Sequence, residues 1–390
     1  MDDFNANEIV CNGDFSTNTR DFLSVLWAIT NGCDYRCSYC SFAKAKFNAF
    51  STRENLLGAA EKLLRLNRPG YQITLYGGEP AYHPHFLDLI DYLATSEAPV
   101  SLRLFTNGSR PTRFFERMVS LAKNTQFGFI FSVHLKYAKI EHVLKVLEIV
   151  AGGGMHVGVS LMFDPEFRNR AREFVDALLE LRENTPFFMN FCYPYAPDGT
   201  TVVGCKEEDY AWSRESEVAF QKMPMPDGLK SPFFTRIMSN ITIERDGKRI
   251  ELAPEKSLQL LGKSEMPPYK NYYCCAGTNV IFIEEDGTVR GSVCESSKVI
   301  GNIFAEPPES LATNMDVVCC RISRCNSIEN IPLPKFRNRD EAEACVALFK
   351  ERARAYLIDP PFPNTLKHTS YNQYRSIQDG YRQDRTGFPA

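Results

Sequence analysis

Between residues 24 and 192 the chain alternates short runs rich in β-branched and aromatic residues with longer amphipathic stretches. The predicted strands span residues 24–29, 71–76, 100–105, 127–133, 156–162 and 187–192. In the stretches between them apolar residues recur three and four positions apart, as at Leu56, Ala60, Leu63 and Leu64, which is the spacing of one helix face. Such alternation predicts a parallel sheet with right-handed crossovers. Six repeats are too few to close an eight-stranded barrel, so we expect an open α/β architecture.

The bulk properties narrow the class of protein. A length of 390 residues suggests two domains, and a net charge of -3 gives no basic field for nucleic acid. Neither a signal peptide nor an apolar run long enough to cross a bilayer is evident. We therefore expect a cytoplasmic protein with no membrane partner. Its 13 cysteines favour metal ligation over disulfides in a reducing compartment.

Three of these cysteines lie together immediately after the first predicted strand. Cys33, Cys37 and Cys40 have C-x3-C-x2-C spacing, and three closely spaced thiolates can hold three corners of a metal cluster. The fourth corner has no local ligand, and an open position is typical of a site that binds a substrate or cofactor. A zinc site and a set of buried free cysteines are the structural alternatives. Zinc sites favour paired C-x2-C knuckles, of which only one is present. Buried free cysteines usually lie among apolar residues, whereas these three lie among Asp, Arg and Ser.

On this motif the chain resembles the radical S-adenosylmethionine (radical SAM) enzymes. The resemblance implies a [4Fe–4S] cluster held by the three cysteines, with an open iron that chelates S-adenosylmethionine, and a partial (β/α)6 TIM-like half-barrel. It also implies that Tyr39, the aromatic residue before the third cysteine, lies beside the adenine.

Further motifs follow the next predicted strands, where ligands of parallel sheets gather. The tetrapeptide Gly77-Gly78-Glu79-Pro80 is by itself an ordinary turn, in which glycines permit close backbone approach. It resembles the family's GGEP motif, which implies contact with the methionine amino group. The same resemblance implies cofactor contacts from Thr106 and Asn107 at the end of the third strand and from Ser132 at the end of the fourth. It also implies that the fifth strand lies against the adenine, where Gly158 gives clearance. His134 is either a satisfied structural histidine or a substrate contact.

The C-terminal third predicts two hairpins, with turns at Asp246-Gly247 and Asp286-Gly287, and a helix over residues 339–357. The cysteines around the second hairpin resemble the SPASM/twitch extension of radical SAM enzymes. That resemblance implies one auxiliary [4Fe–4S] cluster, and the best ligand set is Cys275, Cys294, Cys320 and Cys325. Cys274 and Cys319 are rival ligands, and a zinc ribbon is the structural alternative.

These patterns divide the chain into five regions. We expect an N-terminal extension over residues 1–22, a radical SAM core over 23–204 and a bridging region over 205–272. A small SPASM/twitch-like domain, with a β-hairpin and a helix, follows over 273–358, and a polar tail over 359–390.

The resemblance implies an enzyme that reductively cleaves S-adenosylmethionine to a 5′-deoxyadenosyl radical. That radical abstracts hydrogen from a small, sugar-like molecule or a peptide, giving oxidation, epimerisation or cross-linking in an oxidoreductase- or epimerase-type reaction. Cys192, at the end of the sixth predicted strand, is a candidate hydrogen donor. A flavodoxin or ferredoxin would act as the reductase.

Two alternatives stay open. One is a ribosomal-peptide maturase with a separate leader-binding partner, because about twenty residues before the first predicted strand are too few for such a module. The other is a non-catalytic Fe–S electron carrier or a zinc-stabilised scaffold, which would not need the GGEP motif.

Overall fold

The computed structural model describes residues 8–12, 22–40, 50–122, 125–193, 204–223, 241–252, 269–294, 297–321, 330 and 333–358. These residues form an α/β structure with two sheets of nine and six strands. The tail over residues 359–390 lies outside the described part.

Six parallel strands form the larger part of the nine-stranded sheet and run to one of its edges. They are β2 Leu23–Thr30, β3 Tyr71–Gly77, β4 Val100–Thr106, β5 Gln126–His134, β6 His156–Met162 and β7 Phe188–Cys192. Each pairs in parallel with its neighbours in the chain, which confirms the sequence-based assignment of all six. Among the described strands the order ends on β7 at one edge, so the sheet is an open, partial TIM-like barrel.

Helices connect the strands and cover one face of this sheet. They are α1 Arg53–Leu64, α2 Phe86–Thr95, α3 Thr112–Ala122, α4 Ile140–Gly152, α5 Arg168–Arg182 and α6 Glu207–Lys222. The strand residues on this face are apolar and buried, as at Trp27, Leu75, Phe129 and Val159. Burial of such side chains contributes roughly 1.5–3 kcal/mol each, so this face anchors the core.

The hairpin after residue 279 extends the same sheet. β11 Val280–Ile283 pairs in parallel with β2, and β12 Thr288–Arg290 and β13 Val299–Asn302 follow in antiparallel order. The predicted turn is confirmed, with Gly287 at φ 85°. The SPASM/twitch-like domain is predicted to begin at residue 273. Three strands within it, β11, β12 and β13, nevertheless belong to the same sheet as the core strands.

The second sheet combines distant parts of the chain. Its order is β14-β10-β15-β1-β8-β9, from β1 Ile9–Asn12, β8 Ile241–Arg245, β9 Lys248–Glu251, β10 Tyr273–Ala276, β14 Asp316–Cys319 and β15 Lys335–Phe336. The first predicted hairpin is confirmed, because β8 and β9 pair across Asp246 and Gly247, with φ values of 53° and 69°. Two helices, α7 Pro308–Thr313 and α8 Arg339–Ile358, complete this region. Among the described helices, none is long and apolar enough to cross a membrane.

Candidate functional site: the carboxyl edge of the parallel strands

The loops at the carboxyl ends of β2, β3 and β4 meet at one edge of the sheet. A backbone seam joins the first two loops, because Gly78 N–H donates to the Thr30 carbonyl (2.8 Å) and Glu79 N–H to the Gly32 carbonyl (2.7 Å). A Cβ on Gly77 or Gly78 would lie well inside 3.0 Å of those same carbonyls. The two glycines therefore allow the glutamate loop to lie directly against the residues that precede Cys33.

Glu79 is the best-enclosed polar residue of this edge. Its side chain accepts hydrogen bonds from the Thr106 hydroxyl (2.8 Å), from Asn107 N–H (2.6 Å) and from Ala81 N–H (3.1 Å). Glu79 is 1% exposed, and this burial raises the pKa of its carboxyl to about 7, although the three neutral donors oppose the shift. Pro80 is buried and begins the short 3-10 turn that follows.

Asn107 connects this carboxylate to the cysteine loop. Its backbone N–H donates to the Glu79 carboxylate. Its side-chain Nδ2 donates to Asp34 Oδ1 at 2.9 Å and lies 3.8 Å from the Cys33 sulfur. The predicted cofactor residues Glu79, Thr106 and Asn107 thus form one hydrogen-bonded unit with the start of the cysteine motif.

The three motif cysteines follow β2 within this loop. Cys37 is buried, whereas Cys33 and Cys40 are half-buried. Burial raises the pKa of the Cys33 thiol to about 12 and of the Cys37 thiol to about 11. In the described part of the chain, no group of three or more His, Cys, Asp or Glu residues is placed to hold a single metal ion.

His134, at the end of β5, contacts this loop more closely than sequence reasoning indicated. Its Nδ1 lies 2.8 Å from the Tyr39 hydroxyl and 3.5 Å from the Cys37 sulfur, and its ring stacks on Tyr39 with centroids 5.8 Å apart. Burial lowers the pKa of His134 to about 4. The sequence did contain one indication of this contact, because His134 lies at the carboxyl end of a predicted strand, as Glu79 does.

Three predicted residues of the core remain: Ser132, Gly158 and Cys192. They lie on the face of the sheet opposite the helices. Ser132, Ser160 and Asn190 are in register across β5, β6 and β7, so their side chains share that face. Ser160 donates to Asn190 Oδ1 (2.9 Å), and Asn190 Nδ2 donates to the Cys192 sulfur at 3.5 Å. Gly158 is buried on the same face, between Ile130 and Phe188.

The predicted auxiliary ligands have separate surroundings. The buried Cys275 thiol faces α8, where it donates to the Ala342 carbonyl (3.6 Å) and contacts the Cys345 thiol. The Cys294 sulfur accepts from Asn330 Nδ2 at 3.0 Å, and Cys320 packs against an apolar cluster around Ile241 and Tyr269. Among the described residues these three thiols do not form a group placed to hold a metal ion, and Cys325 lies outside the described residues.

Comparisons with known proteins identify the core. The family model described as the Radical SAM superfamily matches residues 27–184. This region contains the cysteine loop and the Glu79–Asn107 network. Residues 27–184 form a radical SAM domain. The family implies a [4Fe–4S] cluster and S-adenosylmethionine as cofactors.

Curated relatives match over part of this domain. The chain is 27% identical to GTP 3′,8-cyclase of Brucella ovis over 157 residues, which are 36% of this chain and 44% of that protein. It is 31% identical to GTP 3′,8-cyclase of Nostoc sp. over 97 residues, 23% of this chain and 28% of that protein. The chain therefore spans less than half the length of these relatives.

Among solved structures, the chain resembles native anSMEcpe with bound AdoMet and Kp18Cys peptide. The TM-score is 0.50 at 16% identity, over 87% of this chain and 98% of that one. This likeness concerns the fold.

Proposed function

We propose that this radical SAM enzyme reductively cleaves S-adenosylmethionine to a 5′-deoxyadenosyl radical and abstracts hydrogen from a small polar molecule or a peptide. The thiolates of Cys33, Cys37 and Cys40 would hold the [4Fe–4S] cluster. When bound, that cluster supplies the electron for the cleavage and an open iron for the amino and carboxylate groups of the cofactor. The donor set fits, because the three thiols lie in one loop and Asn107 links the first of them, Cys33, to the buried Glu79 carboxylate.

The hydrogen-bonded link from Glu79 through Asn107 to the cysteine loop is the observation that carries this proposal. A carboxylate has about four acceptor positions, and Glu79 uses three of them for Ala81, Thr106 and Asn107. The remaining position suits an ammonium group, whose positive charge would offset the cost of burying an ionised carboxylate.

The other site residues have supporting roles in this proposal. Gly77, Gly78 and Pro80 fix the loop that carries the carboxylate. Tyr39 would contact the adenine, Ser132 the methionine carboxylate or ribose, and Gly158 would leave room for the adenine.

Anaerobic reconstitution followed by an assay for 5′-deoxyadenosine tests the proposal. With dithionite as reductant we expect cleavage by the wild-type protein and none by Cys37→Ala, which removes a cluster ligand. Cys205→Ala is the matched control, because this half-buried thiol lies just before α6, outside the cysteine loop, and its loss should leave cleavage intact. Full cluster loading without cleavage would instead support an electron carrier, and full activity of Cys37→Ala would refute the catalytic assignment.

For the fate of the substrate we propose that Cys192 donates its thiol hydrogen atom to the substrate radical, giving epimerisation. The C–H bond forms as the S–H bond breaks, and the resulting thiyl radical returns to the thiol by taking one electron from the flavodoxin or ferredoxin proposed below and one proton from water. Burial raises the pKa of this thiol and so keeps it protonated, and Asn190 orients its sulfur at 3.5 Å. Ser160 and Asn190 offer neutral hydrogen-bonding groups nearby, which suits a hydroxyl- or amide-bearing substrate. Net oxidation or cross-linking is the competing outcome, and a solvent-derived deuterium in the product, lost in Cys192→Ala, would distinguish epimerisation from both.

We further propose one auxiliary [4Fe–4S] cluster in the C-terminal region and a flavodoxin or ferredoxin as electron donor. Cys275 faces α8 in the structure, so ligation by that residue requires the strand to rearrange, whereas Cys274 on the same strand points to the opposite face. Iron and sulfide near eight each per chain would support two clusters, and about four would remove the auxiliary one. Cys294→Ala should lower the iron and sulfide content. The variant should still cleave some S-adenosylmethionine, but without conversion of the substrate.

A further inference from the structure

The end of β5 and the cysteine loop are joined by aromatic side chains. His134 is the last residue of the strand, and its carbonyl accepts from the N–H groups of Tyr137 and Ala138, both at 2.9 Å. This turn fixes the backbone from which the imidazole projects. The ring then stacks on Tyr39 at an interplanar angle of 22° and hydrogen-bonds to its hydroxyl.

A second pair of rings strengthens the same junction. The Tyr35 ring meets the His134 ring edge-on, with centroids 6.1 Å apart, and stacks on the Tyr137 ring, with centroids 4.8 Å apart. The Tyr137 hydroxyl in turn donates to the Arg36 carbonyl at 2.6 Å. The loop from residue 35 to residue 39 is therefore held against the end of β5 at both of its ends.

We propose that His134 is a positioning residue that fixes the ring of Tyr39 on the adenine side of the cofactor site. This inference rests on the proposed function, because it assumes that Tyr39 contacts the adenine. The hydrogen bond sets the position of the hydroxyl, and the near-parallel stacking sets the plane of the ring. Without His134 the tyrosine would have to be ordered when the cofactor binds, and that ordering would weaken binding.

A double-mutant cycle on reconstituted holoprotein tests this role. The affinity for S-adenosylmethionine is measured from the change that it causes in the electron paramagnetic resonance spectrum of the reduced cluster. His134→Phe keeps a ring but loses the hydrogen bond, and Tyr39→Phe loses the same bond from the other side. We expect each variant to bind about three- to tenfold more weakly, the range for one hydrogen bond, and the double variant to bind no more weakly than either. His134→Asn, whose amide can replace Nδ1 but not the stacked ring, should recover the part of the affinity that depends on the hydrogen bond.

Methionine is the control ligand, because it can occupy the open iron and contact Glu79 but has no adenine. Its affinity should be unchanged in all variants, with wild-type iron content. Additive losses, wild-type affinity in His134→Phe, or an equal loss for methionine would each overturn the positioning role. If wild-type holoprotein binds neither ligand, the proposed function has failed, and this is a different result.

Discussion

Glu79 places a carboxyl group where water is excluded, and its three neutral hydrogen-bond donors do not fully offset the cost of ionising it. Gly78 allows that carboxyl group to lie against the loop that carries Cys33. At the residue scale, the site therefore depends on one buried acid and on two adjacent positions, Gly77 and Gly78, where a side chain cannot fit.

The buried carboxyl group predicts how stability varies with pH in the cluster-free protein. Burial raises the pKa of Glu79 from 4.5 to about 7. Between those values the folded state retains a proton that the unfolded state has lost, so the free energy of unfolding falls as pH rises. We expect a loss of roughly 3 kcal/mol between pH 4.5 and pH 8 from this group.

Chemical denaturation of the wild-type and Glu79→Gln proteins at pH 5 and pH 8 measures this effect. Glutamine cannot ionise, so the variant should lack this part of the pH dependence, whereas Glu180→Gln, at an exposed position of α5, should retain it. Parallel profiles for wild type and Glu79→Gln would contradict the prediction.

A glycine pair provides a second prediction. A Cβ at Gly78 would overlap the Gly32 and Asn31 carbonyls, so Gly78→Ala should destabilise the fold by about 1–3 kcal/mol and reduce cluster loading. Gly58 lies in α1 with nothing within 4 Å of the added Cβ, so Gly58→Ala should stabilise by up to ~1 kcal/mol. Urea denaturation compares the two, and an equal response in both would refute the steric argument.

At the element scale, the hairpin of β11 and β12 is part of the core sheet. β11 pairs with β2 along Val280–Ile283, and β2 leads directly into the cysteine loop. Asn31 in that loop also donates to Glu285 in the hairpin turn at 3.2 Å. The hairpin therefore supports the strand and the loop that present the cysteines.

Truncation of a buried side chain in β11 should weaken this support. Ile283 is fully buried and pairs with Trp27, so Ile283→Ala should cost about 2–5 kcal/mol and increase hydrogen exchange in β2. Ile250, on β9, is 42% exposed, so Ile250→Ala is the control. It should change the free energy of unfolding and the hydrogen exchange of β2 only slightly. Unchanged exchange in β2 after the Ile283 substitution would show that the two strands are not coupled.

At the scale of the whole molecule, the second sheet combines segments from both ends of the described chain. β1 lies between β15 and β8, and Ile9 packs in an apolar cluster with Ile243 and Tyr272. The Tyr272 hydroxyl also donates to the Ile9 carbonyl.

Deletion of residues 1–12 should therefore open this sheet and leave the parallel core folded. The expected result is faster alkylation of Cys320, which packs against the Ile9 cluster, with Cys192 in the parallel core unchanged. Mass spectrometry of labelled peptides measures both rates. Equal acceleration at the two cysteines would indicate general unfolding, and no change at Cys320 would show that β1 is dispensable.

Local patterns in the sequence determined the six parallel strands, both Asp-Gly hairpins, the long C-terminal helix and the loop that carries Cys33, Cys37 and Cys40. Strand periodicity and turn residues depend on near neighbours, and this explains why these elements are readable without coordinates. The Gly77–Pro80 motif was readable for the same reason.

Only the tertiary structure decided which distant segments pair. It placed β1 inside the second sheet, attached β11 to β2, and set His134 against Tyr39. It also directed the Cys275 thiol to Cys345, because adjacent residues of a strand face opposite sides and a Cys-Cys doublet does not reveal which one faces inward. Such contacts depend on strand order and facing, which are fixed when the whole chain packs and which no short stretch of sequence records.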